Sequence, residues 1–103
     1  MNPVPHWTKR AKKRLRDAFL YIATSFHPEY ATAFESDVFS TTETIPPNPE
    51  IGVEAFKSMK RPEIRKILCK NRNWWVYYRV KKNCIEVLSV KHILQNVESP
   101  RNL

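Results

Sequence analysis

The stretch from Trp74 to Val90 restricts the fold of this chain more than any other part of the sequence. The run from Trp74 to Val80 consists almost entirely of aromatic and β-branched residues, and a second β-rich run extends from Cys84 to Val90. Positions 81–83 are polar, and Asn83 tolerates the left-handed conformation that tight hairpin turns need. These features predict a β-hairpin, and its nearly continuous apolar character places both strands centrally in a sheet.

Two amphipathic helices are predicted before this hairpin. Thr8 is a suitable N-cap for a helix over roughly 9–25, and His27-Pro28 ends that helix and starts a second one. Because the link between them is short, the two helices should form an antiparallel hairpin. The stripe expected to be buried in the first helix is Ala11, Leu15, Ala18, Ile22 and Phe26. The stripe expected in the second is Tyr30, Phe34, Val38, Thr41 and Ile45.

The remaining segments complete a single α+β domain over residues 1–103. A proline-rich loop at 46–52 follows the helices, and the alternation from Ile64 to Cys69 predicts a further strand. Residues 2–6 contain two prolines and can add at most a short N-terminal edge strand, and residues 96–103 are expected to be a frayed tail. The predicted fold is an N-terminal α-helical hairpin packed on a small antiparallel β-sheet.

The charges of the chain are segregated along its length. Residues 1–16 carry six bases and no acid, residues 17–56 carry seven acids and no lysine or arginine, and residues 57–103 carry twelve bases and three acids. Such separation indicates a basic face suited to a polyanionic or acidic partner. The alternative is a solvated surface that serves solubility and has no special partner.

Neither a metal site nor a membrane span is expected. Cys69 and Cys84 lack metal-ligand spacing, the three histidines are scattered, and both cysteines are predicted to be buried thiols. A chain of 103 residues has room for one core and no separate cofactor-binding half, so no cofactor is expected. No stretch approaches the roughly 20 apolar residues of a membrane span, which favours a cytoplasmic protein.

Several short phrases recur in a characteristic order over most of the chain. They are Trp7-Thr8 with Ala11 and Leu15, Tyr21-Ile22, Ala33-Phe34, Asn48-Pro49-Glu50-Ile51-Gly52, Ile64-Arg65-Lys66-Ile67, Tyr77-Tyr78-Arg79-Val80 and Ile85-Glu86-Val87-Leu88-Ser89-Val90-Lys91-His92. In order and spacing they resemble the ParE/RelE toxin superfamily of type II toxin–antitoxin modules, and most closely its ParE-like members. The resemblance implies a compact toxin in a hetero-oligomer with an antitoxin that wraps and neutralises it. It also implies one of two targets, because ParE-like members inhibit DNA gyrase and RelE-like members cut mRNA on the ribosome.

The residues favour gyrase inhibition by binding over RNA cleavage. Cleavage needs acid, base and charge-stabilising groups in one cleft. Nuclease members commonly carry an arginine at the position where this chain has Trp75. If the chain were a ribosome-dependent endoribonuclease, His92 would be the acid or base, with Lys91, Arg65 and Arg79 supplying charge. The alternative role of His92 is packing or a hydrogen bond, and no catalytic residue is then expected.

Two sets of contact residues are predicted. Those expected to bind the target are Arg65, Lys66, Trp75, Arg79, Lys91 and His92. Those expected to bind the antitoxin are Lys9, Arg10, Lys13 and Arg14. Two alternatives stay open. The basic residues of the first helix could neutralise phosphates, and Arg79 could contact the acidic helical region. A DNA-binding module is disfavoured, because the link between the helices contains proline and no glycine and gives no helix-turn-helix signal.

Overall fold

The computed structural model describes residues 4–103, which form two helices packed on one face of a five-stranded sheet. The helices are α1, Lys9–Ser25, and α2, Pro28–Glu43. The strands are β1, His6–Trp7; β2, Val53–Glu54; β3, Ile64–Leu68; β4, Trp74–Val80; and β5, Ile85–His92. Short 3-10 helices lie at Lys57–Met59 and Pro100–Asn102. None of the helices in residues 4–103 is long and apolar enough to cross a membrane.

The order of strands across the sheet is β1-β5-β4-β3-β2. The pairs from β2 to β5 are antiparallel, and the predicted hairpin of β4 and β5 is confirmed. β1 pairs with β5 in parallel. The sheet is therefore mixed, whereas the sequence predicts an antiparallel sheet. The predicted edge strand over 2–6 lies partly outside the described residues. The strand that is described begins at His6, because the preceding Pro5 has no N–H to donate to a ladder.

β5 contains one residue more than its partner strand requires. Tyr77 is paired with Ser89 while Tyr78 is paired with Val87, which leaves Leu88 as the extra residue of a β-bulge. Val87 packs toward the helices, whereas Leu88 packs with Tyr77 on the opposite side, which we call the open face. The bulge therefore shifts the alternation of side chains in the last part of β5.

The helices begin where the sequence predicts. The Thr8 hydroxyl accepts a hydrogen bond from the Ala11 N–H at 3.1 Å, and the His27 ring accepts one from the Glu29 N–H at 3.2 Å. The predicted stripes are largely confirmed, because Ala11, Leu15, Ile22, Phe34, Val38, Thr41 and Ile45 are buried and Ala18 is half-buried.

Phe26 and Tyr30 depart from this pattern and are 66% and 64% exposed. Both lie beside the turn between the helices, where Phe26 has already left helical geometry, with φ −128° and ψ −89°. Helical periodicity therefore does not determine the direction of its side chain. Each ring packs on a neighbour instead, Phe26 on Tyr21 and Tyr30 on His27.

The turn between β4 and β5 does not contain the left-handed residue that the sequence predicts. Among the described non-glycine residues only Lys60 and Arg72 have positive φ, 54° and 66°. The expectation of a left-handed Asn83 is therefore wrong. The β4–β5 turn is closed by the Lys81 N–H, which donates to the Cys84 carbonyl at 2.9 Å without that conformation. Arg72 lies instead in the turn between β3 and β4, where Asp37 of α2 accepts hydrogen bonds from the N–H groups of Lys70 and Asn71.

Tyr78 ties the proline-rich loop to the sheet. Its ring is fully buried, and its hydroxyl accepts a hydrogen bond from the Gly52 N–H at 2.9 Å and donates one to the Pro49 carbonyl at 2.7 Å. Arg65 donates to the Gly52 carbonyl at 2.6 Å. A Cβ atom at position 52 would lie 2.7 Å from both the Tyr78 hydroxyl and the Lys66 carbonyl, so the single glycine of the chain is required by close approach.

The C-terminal segment is packed rather than frayed. Leu103 is 3% exposed and joins Phe56, Ile64 and Tyr77 in an apolar cluster on the open face, with Val97 at its margin. The Arg14 guanidinium donates to the Leu103 carbonyl at 3.4 Å. The prediction of a frayed tail over 96–103 is wrong because β3, β4 and β5 carry apolar residues on both faces. The open face therefore also needs cover, and the C-terminal segment provides part of it.

Replacing Tyr78 with Phe keeps the ring and removes the bridge to the loop. We expect the free energy of unfolding to fall by about 1–3 kcal/mol, because the buried Gly52 N–H and the Pro49 carbonyl lose their partner. Urea unfolding followed by circular dichroism measures the change. Tyr30→Phe, at an exposed ring, is the matched control and should change stability by less than about 0.5 kcal/mol. Equal effects of the two substitutions would contradict a structural role of the bridge.

Candidate functional site

The six residues predicted to bind a target do not form one surface. Trp74 packs on Phe34 of α2, so its neighbour Trp75 points to the open face. Lys66, Arg79 and Lys91 are on this open face by their register with β4. Arg65 and His92 are paired with Tyr78 and Trp74 and lie on the helix side. The predicted set is therefore divided between the two faces of the sheet.

Lys66 and Trp75 form a cationic and aromatic patch on the open face. The Lys66 ammonium lies 4.5 Å from the centroid of the Trp75 ring and 5.9 Å from that of Tyr77. A cation above an aromatic face at this distance is attracted by the ring quadrupole. Both side chains are half-buried, and Lys66 forms no ion pair with an acid of residues 4–103. This Lys66–Trp75 patch is available to a partner.

Arg65 and Arg79 are already engaged within the protein. Arg65 holds the Gly52 carbonyl, as described above. Arg79 lies 3.8 Å from the Glu86 carboxylate, which is also 3.3 Å from the Lys81 ammonium. The structure therefore pairs Arg79 with an acid of the adjacent strand and not with the acidic helical region. Its charge is partly compensated before any partner arrives.

His92 lies apart from the arginines that the ribonuclease alternative would require. Its ring packs edge-on against Trp74 at 5.0 Å, and its Nδ1 accepts a hydrogen bond from the Leu94 N–H at 3.2 Å. Arg65 is paired with Tyr78, four positions from Trp74 along β4, and lies two strands away from His92, so their backbones are about 16 Å apart at the usual rise and strand spacing. Arg79 is five positions along β4 from Trp74, the partner of His92, and so about 17 Å away. Only Lys91 is a near neighbour.

Lys91 belongs instead to a group of cations at the edge of β5 that lies beside α1. Lys91 is 8% exposed, and its burial together with the nearby charges of Arg14 and Arg10 lowers its pKa below the ordinary value. The Nε of Arg14 is buried and has no hydrogen-bond partner in the described part of the chain. No ion pair links these three residues to an acid within residues 4–103. We call Arg10, Arg14 and Lys91 the basic cluster.

The basic cluster combines a residue predicted for the target with two predicted for the antitoxin. The spacing of Arg10 and Arg14 places them on one side of α1, which is visible in the sequence. Nothing in the sequence indicates that this side of α1 runs along the edge of β5 close to Lys91. The other two predicted antitoxin residues lie outside the cluster: Lys9 is exposed, and Lys13 pairs with Asp17 at 2.8 Å.

A cleft of about 610 Å³ opens beside the basic cluster, between α1 and the end of β5. Its charged lining includes Arg14 and Lys91, and its acid Asp17 is held by Lys13, whose hydrogen bond lowers the pKa of that carboxyl. The apolar wall of this α1–β5 cleft is formed by Tyr21, Phe26, Trp74 and Leu94. The arrangement can hold an anionic group next to an apolar one.

The two cysteines are both free thiols and differ in burial. Cys69 is buried, and desolvation raises its pKa to about 11, so it remains a neutral thiol at physiological pH. Cys84 is half-buried, so the prediction of two buried thiols is right for Cys69 alone. Within residues 4–103 no group of three or more histidine, cysteine or acidic side chains could hold a metal ion.

Comparison with known proteins agrees with the fold. A family model described as the ParE toxin of the type II toxin–antitoxin system, parDE, matches residues 6–97. A chain from a solved structure described as the chromosomal ParDE TA system from P. aeruginosa is similar to this one, with a TM-score of 0.70. The two are 18% identical over 87% of this chain and 97% of that chain, a likeness that bears on the fold alone. A search of curated proteins gives no significant match.

Replacing Lys91 with Met keeps the aliphatic stem and removes the charge. We expect Lys91→Met to unfold with a higher free energy than the wild type at pH 7, because protonated Lys91 is buried beside Arg14 and Arg10. Folding lowers the pKa of Lys91, so the unfolded chain binds its proton more readily. Wild-type stability should therefore rise as the pH increases from that lowered pKa toward the ordinary 10.5.

The advantage of Lys91→Met should consequently shrink over the same pH range. Urea unfolding of both proteins at pH 7 and near pH 10.5 measures this difference. A variant that is less stable than the wild type at pH 7, or equally advantaged at both pH values, would contradict an uncompensated charge at Lys91.

Proposed function

This chain belongs to the ParE toxin family of type II toxin–antitoxin systems, and we propose that it inhibits DNA gyrase by binding it. The family match over residues 6–97 carries the proposal, because gyrase inhibition is what resemblance to ParE-like members implies. Gyrase acts in the cytoplasm, so the proposal also places the toxin there. The expected result in cells is growth arrest unless an antitoxin is present.

The geometry of the sheet supports binding over RNA cleavage. A ribonuclease of this kind needs a general acid, a general base and positive charge around one phosphate. Here His92 packs on Trp74, Arg65 donates a hydrogen bond to the Gly52 carbonyl, and Arg79 forms an ion pair with Glu86. The four residues of the cleavage alternative are thus spread along the strands and over both faces. This separation gives no support to an endoribonuclease.

We place the contact with gyrase at the Lys66–Trp75 patch. Aromatic side chains are enriched among the residues that dominate protein interfaces, and Trp75 is a large ring on the open face. Lys66 has no acidic partner in the described chain, so its charge is free to complement a partner. Arg65 and Arg79, which the sequence also pointed to, are occupied by internal contacts and contribute to the shape of the sheet.

We place the contact with the antitoxin on the basic side of α1. Lys9, Arg10, Lys13 and Arg14 lie within the first two turns of this helix, and no acid occurs before Asp17. An acidic antitoxin would complement this surface and form a hetero-oligomer with the toxin. The bases at the start of α1 oppose the helix dipole, which is unfavourable in the free toxin. An acidic partner removes that cost.

Purified gyrase and a relaxed plasmid test the proposed target. We expect the wild-type protein to inhibit supercoiling, and Lys66→Glu to raise the concentration for half-inhibition about tenfold, which corresponds to about 1.4 kcal/mol of binding free energy. Lys82→Glu, in the exposed β4–β5 turn, is the matched control and should stay within about twofold. Supercoiling that is unaffected by excess wild-type toxin would refute gyrase as the target.

Substitution of His92 tests the cleavage alternative directly. We expect His92→Gln to arrest growth as strongly as the wild type, within about twofold, because a glutamine can replace the packing and hydrogen-bond role of His92 but not its proton transfer. The wild-type protein, added to a translating extract, should leave mRNA intact. Cleavage of mRNA by the wild type, abolished in His92→Gln, would replace the proposed function with an endoribonuclease.

A further inference from the structure

We infer that the α1–β5 cleft is the anchoring site for an acidic segment of the antitoxin, which places a carboxylate on Arg14 and Lys91 and an apolar side chain on the aromatic wall. The inference rests on the proposed function only in taking the antitoxin as the source of the segment. In this site Arg14, which the sequence assigns to the antitoxin, acts together with Lys91, which the sequence assigns to the target.

The charge of the basic cluster is the first argument. Lysine is almost never fully buried unless it is paired, because removing an unpaired charge from water is costly. Lys91 is 8% exposed beside two further cations, and the buried Nε of Arg14 lacks a partner in the described chain. The one acid lining the cleft, Asp17, is engaged by Lys13. A carboxylate from outside would supply the missing counter-charge.

The apolar wall is the second argument. Tyr21, Phe26 and Leu94 are 59%, 66% and 85% exposed, although they are large apolar or aromatic side chains. They lie in the lining of one cleft together with Trp74. Contiguous exposed apolar surface of this kind marks a binding site. The occupant should therefore carry an aliphatic or aromatic residue close to its acid.

The geometry of the wall favours a peptide over a nucleic acid. Single-stranded nucleic acids bind through bases stacked on ring faces and through cations that follow the backbone. In this cleft Tyr21 and Phe26 meet at 79°, and Trp74 and His92 meet at 89°, so neither pair forms a parallel slot for a base. The lysine and arginine that line the cleft are Lys91 and Arg14, which form one recess and not a track of cations. A single carboxylate, which an arginine can bind with two parallel hydrogen bonds, suits that recess.

The position of the cleft also indicates how the antitoxin would neutralise the toxin. Lys91 is the register partner of Trp75, so the recessed end of the cleft borders the Lys66–Trp75 patch. An antitoxin segment anchored on Lys91 would continue toward Trp75 and cover the surface proposed for gyrase. Neutralisation would then be direct occlusion and would need no change in the shape of the toxin.

Two matched tetrapeptides test the site by isothermal titration calorimetry at low salt. The acidic probe is acetyl-Phe-Glu-Leu-Glu amide, and the neutral probe has glutamine in place of each glutamate. We expect the wild-type protein to bind the acidic probe about tenfold more tightly. The preference should fall below about threefold in Lys91→Met and in Arg14→Gln. It should persist in Lys12→Met, an exposed cation on the other side of α1.

Three results would overturn the inference. The first is equal binding of the two peptides by the wild-type protein. The second is equally tight binding of inorganic phosphate, which would reduce the site to a simple anion hole. The third is tighter binding of a 5′-phosphorylated thymidine dinucleotide, which would assign the cleft to nucleic acid. Circular dichroism melting of each variant verifies that it is folded.

The supercoiling assay distinguishes the antitoxin from the target as the source of the acidic segment. Arg14 lies outside the Lys66–Trp75 patch, so Arg14→Gln should inhibit gyrase within about threefold of the wild type. Loss of inhibition in Arg14→Gln would assign the cleft to the target and overturn the antitoxin as its occupant. A wild-type protein without effect on gyrase would refute the proposed target, whereas the peptide titrations would still decide whether the cleft binds an acidic segment.

Discussion

The hydroxyl of Tyr78 is the contact on which the arrangement of helices and sheet depends. Tyr78 lies at the middle of the central strand, and its ring packs with Ile45 and Ile85 under the end of α2. Its hydroxyl bridges Pro49 and Gly52, the two ends of the turn that leads from α2 to β2. Burial raises the pKa of this phenol, so it remains a donor as well as an acceptor. The loop is thereby fixed where no regular structure is available.

The cations of the chain fall into two groups once their neighbours are known. Some are engaged within the protein: Arg65 donates a hydrogen bond to the Gly52 carbonyl, and Arg79 and Lys81 share the Glu86 carboxylate. Many others have no acidic partner in the described residues, and Lys66 and the basic cluster are among them. A net charge of +8 does not distinguish the two groups, because both contribute equally to it. A cation without an acidic partner has its charge available for recognition.

Local signals in the sequence were sufficient to predict helices and strands but not which segments they contact. The N-cap at Thr8, the proline at the start of α2 and the β-rich runs predicted the bounds of α1, the start of α2 and the bounds of β4 correctly, because capping and strand propensity act over a few residues. The parallel pairing of β1, the burial of Leu103 and the exposure of Phe26 depend on which surface each segment meets. The basic cluster was missed for the same reason, since Lys91 is more than 70 residues from Arg14.

The bulge at Leu88 has a consequence for how this strand tolerates insertions and deletions. Leu88 and Ser89 both lie on the open-face side, so the residues after the bulge regain the alternation that they would have if Leu88 were absent. Removal of that one residue would leave Val90 toward the helices and Lys91 on the opposite side. A length change inside a paired strand ordinarily exchanges its inner and outer side chains. At this position one residue can be lost while the residues that follow it keep their faces of the sheet.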